Sequence, residues 1–184
     1  MKKVHYLLLI VLFSFFACEK DTQEKTEFDI LKEAKLPIPM KVSFVMTYDA
    51  NYPAVTCSPA TLPVPLPGKV WIDGNATHIG KVDETKSYAL TTSCQVIDAT
   101  HIKEVFKGII TTQNGDYFNF TGWGIIDLSN VLTSKNGTVT GEITANDGSG
   151  KFKGVKGTIT MTEGTIDFAT NSVEWNGEGE LSYE

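Results

Sequence analysis

The sequence predicts an all-β chain, a single antiparallel up-and-down β-barrel of about eight strands. Three observations carry that expectation. Long stretches alternate apolar and polar residues with a period of two, the pattern of a strand with one covered face. Glycines recur on the apolar side of those stretches, at Gly74, Gly108, Gly122, Gly124, Gly141, Gly177 and Gly179. A narrow interior with sharply bent strands needs glycine there, and a flat sandwich does not. The stretches also follow one another mostly through short connections, which favours a meander.

At 184 residues the chain has the size of one domain. Its formal charge is −6, and its sixteen basic residues are all lysine. Arginine's planar fork is the usual reader of phosphates and guanine edges, so the composition argues against a nucleic-acid partner.

Residues 1–17 read as an export signal and form the first segment. Lys2 and Lys3 precede an apolar run over residues 6–17. That run is shorter than the ~20 residues that span a bilayer. Phe15-Phe16-Ala17-Cys18 resembles a bacterial lipoprotein box, which implies acylation of Cys18 and a membrane anchor. Residues 18–35 read as a flexible tether. Its charged start, Glu19 to Glu27, has no apolar period. It resembles the surface-export signal of Bacteroidetes lipoproteins, which implies an outer-membrane lipoprotein in the cell envelope, on either face. Residues 28–35 have the makings of two helical turns, ended by Pro37 and Pro39. The β-barrel domain is placed at 36–184.

Strands are expected over residues 41–48, 69–81, 86–96 with a break near Ser93, 101–112, 117–128, 137–146, 158–162, 164–169 and 173–184. The connection 49–68 holds five of the seven prolines and should lie over an end of the fold. Asn114-Gly115 and Asn136-Gly137 read as tight hairpin turns. A glycine-rich stretch, Asn146 to Thr158, is expected as a structural corner. There Gly148, Gly150, Gly154 and Gly157 surround Phe152, which plugs one end of the barrel.

The run Gly148-Ser149-Gly150-Lys151-Phe152-Lys153-Gly154-Val155-Lys156-Gly157-Thr158 resembles a glycine turn of small secreted barrels related to allene oxide cyclase and dirigent proteins. Gly74-Asn75-Ala76-Thr77-His78-Ile79-Gly80 resembles the strand found with it in bacterial members, and the likeness covers residues 40–184. It implies an eight-stranded barrel able to hold an apolar small molecule, in a family whose members often assemble into oligomers. No catalytic residue of those relatives is placed on this chain, so no activity is carried over and no catalytic residue is named.

Cys57 and Cys94 are the two remaining thiols of an exported chain, and a disulfide between them is expected. Such a loop closure contributes roughly 3–4 kcal/mol in the chain-entropy account. His78 and Glu104 fall on inward faces by alternation. They are candidate polar anchors for a ligand or an acid–base pair. Their ordinary alternatives are a satisfied structural histidine and a carboxylate at the barrel mouth. Trp71 and Trp123 fall on the outward face, where they would stack on a sugar ring or pack under a loop. The sequence carries no metal-ligand spacing, nucleophile motif or dinucleotide fingerprint, and no metal or cofactor is expected. These observations point to a lipid-anchored, non-catalytic barrel that binds a small apolar or amphipathic ligand. The alternatives are a glycan-binding surface lipoprotein and a barrel cyclase or isomerase.

Overall fold

The structure, a computed structural model, describes residues 25–59 and 65–184. The expected signal segment, Cys18 and residues 19–24 lie outside the described residues, as do residues 60–64 of the proline-rich connection.

Nine strands make one antiparallel sheet. They are β1 (Ile38–Tyr48), β2 (Lys69–Ala76), β3 (Gly80–Lys81), β4 (Tyr88–Val96), β5 (His101–Thr111), β6 (Tyr117–Asp127), β7 (Asn136–Gly148), β8 (Val155–Asp167) and β9 (Ser172–Tyr183). β1 pairs with β9 on one side and with β2 on the other, so the sheet closes in a ring of eight strands, with β3 a two-residue spur on β2. Closure leaves no long sheet edge unpaired.

The alternation predicts the interior well where strands are regular. Val42 and Phe44, Ile102 and Ile110, Phe118, Phe120 and Ile126, Val139 and Ile143, and Val173, Trp175 and Leu181 are all buried inside. Each such side chain contributes on the order of 1.5–3 kcal/mol when fully buried. Two of the inward glycines face aromatic rings. A Cβ at Gly122 would stand 2.4 Å from Phe106, and one at Gly108 would stand 2.4 Å from Phe120. Glycine therefore sets aside the space that these rings fill.

The structure corrects the expected strands where the period of two shifts. Residues 158–162 and 164–169, expected as two strands, lie mostly within the single strand β8, which ends at Asp167. A bulge between Met161 and Glu163 moves the inward set from Ile159 and Met161 to Gly164 and Ile166. The strand expected to run to residue 81 stops at Ala76. His78 turns the chain with φ +62°, and Ile79, which alternation from Trp71 would turn outward, is buried. Asn136-Gly137 is not a turn; it opens β7. The reversal is made upstream by a short helix, Val131–Ser134, which ends at Lys135 with φ +58°. The break foreseen near Ser93 is a bulge between Thr91 and Ser93, and Gly115 makes the other hairpin with φ +89°.

The two ends of the ring are closed differently. At one, α1 (Glu27–Glu33) lies across the opening. Thr26 caps it, accepting from the Asp29 amide at 3.3 Å, while the Asp29 carboxylate accepts from the Thr26 amide at 3.3 Å. Phe28 drops from α1 into the opening and meets Tyr183 edge-on at 5.8 Å and Phe152 at 6.2 Å. Phe28, which lies within the segment expected as a tether, is thus packed against the ring. Phe152 is fully buried and lies 5.3 Å from Phe118. Its corner is held by Asp147 Oδ1, which accepts from the amides of Gly148 and Gly154 at 2.7 and 2.8 Å. Gly157 has φ +146°, and a Cβ there would meet Glu180 O at 2.1 Å, so this crossing admits only glycine. We call this the helix end. The opposite, connection end is covered by residues 49–59 and 65–68, tied down by a Val55–Leu66 bridge and by the Cys57–Cys94 disulfide.

Candidate ligand site in the ring interior

Under that cover the ring encloses a cavity of about 60 Å³. Its walls are Phe44, Met46, Val70, Ile72, Phe106, Phe120, Ile143, Met161 and Trp175, with Leu66 and Pro67 as a roof. Three polar groups interrupt this lining: Glu104 on β5, Thr91 on β4 and Tyr48 at the end of β1. Glu104 faces inward because β5 alternates without a break from Ile102 to Ile110.

The Thr91 hydroxyl links the roof to the acid. Its Oγ1 lies 2.7 Å from the Pro67 carbonyl and 2.5 Å from Glu104 Oε1. A threonine hydroxyl has one proton to give. The Pro67 carbonyl can only accept, so both contacts are satisfied together only when Glu104 is protonated and donates to Thr91. Burial acts in the same direction and raises the Glu104 carboxyl to about 7; only a Thr91 hydroxyl turned to donate to the carboxylate would act, more weakly, the other way. The Tyr48 phenol is pushed up to about 12, by burial first and then by the charge of Glu104. Among the described residues Glu104 has no partner besides Thr91 and Tyr48. The Trp175 Nε1 is buried without a hydrogen-bond partner, and its side chain lines the same cavity from β9. β9 is four strands around the ring from β5, so the two polar groups stand on opposite walls.

The other expected site residues lie elsewhere. His78 is at the helix end, 5.8 Å from the Phe28 ring, and its carbonyl accepts from Lys151 Nζ at 2.8 Å. His78 and Glu104 therefore occupy opposite ends of the ring and form no acid–base pair. Trp71 is half-buried on the outer wall. The Lys69 ammonium sits 3.4 Å from its ring centroid, occupying one of the two faces a sugar would need. Lys69 is bound in turn to Asp49 at 3.4 Å. The Asp49 carboxyl is held below its usual range by the Asn51 amide first, then by Lys69 and Trp71. Trp123 is 38% exposed and lies three strands from Trp71 around the ring, so the two do not share one platform. Cys57 and Cys94 are bonded to each other. Among the described residues no group of three or more His, Cys, Asp or Glu is arranged to hold a metal ion, and no helix is long and apolar enough to cross a membrane.

Fold and site together define a closed antiparallel ring with an apolar interior cavity that holds one carboxyl group. No protein-family model matches the chain, and no curated protein matches it.

Proposed function

We propose that this is a lipid-anchored protein of the bacterial cell envelope, a β-barrel of the allene oxide cyclase-like kind. Its interior receives the apolar end of a small hydrophobic or amphipathic molecule and does not transform it. The observation that carries this reading is the cavity beneath Leu66 and Pro67, apolar on all sides except for Glu104, Thr91 and Tyr48. Its volume sets the scale of the occupant. A cavity of ~150 Å³ admits benzene, and this one has about 60 Å³. The folded ring thus accepts the tip of a chain, and the rest of the molecule leaves past the roof. The separation of His78 from Glu104 supports binding over acid–base catalysis.

Titration with N-decyl dansylamide, a neutral probe whose straight alkyl tail can enter the cavity while its fluorophore stays at the roof, tests the reading. Probe fluorescence should rise on binding. Leu66→Ala, which opens the roof, should tighten binding several-fold, and Ala89→Val, which fills the cavity from β4, should weaken it by a similar factor. Equal binding by all three proteins would place the probe outside the ring and contradict the proposal.

A further inference from the structure

Phe28 and Ile30 lie two positions apart on α1, about 200° around the helix. Burying the first therefore turns the second straight out. Phe28 is inserted into the helix end of the ring, and Ile30 is 55% exposed on the face of α1 that points away from it. Leu36, just past the helix, is 50% exposed. α1 cannot roll to hide them. Lys32 Nζ donates to the Lys151 carbonyl and lies 4.4 Å from the Tyr183 ring, while Lys151 Nζ donates to the His78 carbonyl at 2.8 Å.

The chain enters the ring at this same end. Lys25, the first described residue, pairs with Glu33 of α1 at 2.7 Å. Cys18 stands seven residues upstream of Lys25, and seven residues span at most about 25 Å. Strands of 11 residues such as β5 and β6 make the ring about 25–30 Å tall once their tilt is included. A lipid on Cys18 thus holds the helix end near the bilayer and leaves the other end beyond easy reach. The connection end also carries Asp98, Asp127 and Asp167 against His101 and Lys135. An anionic lipid surface repels such a rim.

We propose that the helix end is the membrane-facing end of this molecule, with Ile30 and Leu36 seated in the lipid interface and the cavity opening away from the bilayer. The inference rests on the lipidation of Cys18 proposed above. Its consequence is that the ligand is taken from the aqueous side and not drawn out of the membrane beneath.

The test uses the full lipidated chain on vesicles of phosphatidylethanolamine and phosphatidylglycerol that contain a nitroxide-labelled phospholipid. A nitrobenzoxadiazole label is placed on Ile30→Cys, or on Leu132→Cys, whose site at the connection end is 94% exposed. Both labels react with the new thiol alone, since Cys57 and Cys94 are bonded and the Cys18 sulfur carries the lipid in the lipidated chain. Vesicle flotation is read first, with Cys18→Ser as the unanchored control. The label at position 30 should lose at least about half its fluorescence to the nitroxide, as expected for a side chain within ~5–10 Å of the headgroup boundary. The label at position 132 should be unaffected. A chain that fails to float refutes the anchor and the orientation with it. A floating chain quenched at position 132 as strongly as at position 30 overturns the orientation and leaves the anchor standing.

Discussion

Glu104 is the side chain whose chemistry depends most on the fold around it. In the unfolded chain its carboxyl titrates near its ordinary value of 4.5, and in the ring it holds its proton until about 7. Between those values the folded state binds more protons than the unfolded state, so stability falls as pH rises. The effect is fully present below pH ~4.5 and is lost once pH passes ~7, with a ceiling of roughly 3 kcal/mol at 1.36 kcal/mol per pH unit. Glu104→Gln keeps the shape and cannot ionise. Urea denaturation at pH 5 and pH 8 should show the wild-type chain less stable at the higher pH, and the variant should lose most of that difference. An identical difference in both proteins would mean that Glu104 titrates as if exposed. Alternation along β5 alone places this acid inside. Its partners were harder to read. Thr91 sits beside a bulge that shifts the period of two in β4. Pro67 and Leu66 come from a proline-rich connection with no period at all.

Among the elements, α1 is the one whose role changes most between sequence and structure. Residues 28–35 carry a helical signal, but a helix of seven residues is too short to persist alone in water. Its stability has to come from packing, and Phe28 supplies it by filling the ring's opening beside Tyr183 and Phe152. A single aromatic on a charged segment gives no sequence pattern to reveal that contact. Phe28→Ala should destabilise the protein by about 3–5 kcal/mol, the usual cost of emptying a buried aromatic site. It should also free the backbone at Lys32 and Lys35 for cleavage by trypsin, and denaturation with limited proteolysis checks both. A loss below ~1 kcal/mol would mean that the helix only rests on the surface. Positive-φ turns at His78 and Lys135 and a bulge in β8 account for the other differences between expected and observed elements. The bulge, near Thr162, made one strand look like two, because a reader following alternate residues loses the inward face there.

For the molecule as a whole, the order of strands and the closure of the ring were legible because sequential strands with short connections have few other ways to pair. Inward glycines opposite Phe106 and Phe120 pointed to a curved interior. The size of the cavity was not legible. It depends on how the ends are filled, by Phe28 and Phe152 at one and by Leu66 and Pro67 at the other, and these residues come from segments without strand periodicity. The central claim is that this interior holds part of a small apolar or amphipathic molecule. Native mass spectrometry of the protein purified from its own host tests it most directly. The expected result is a non-covalent mass beyond the covalent polypeptide, present in the wild-type chain and lost in Ala89→Val. A spectrum showing only the covalent polypeptide in both proteins would contradict it.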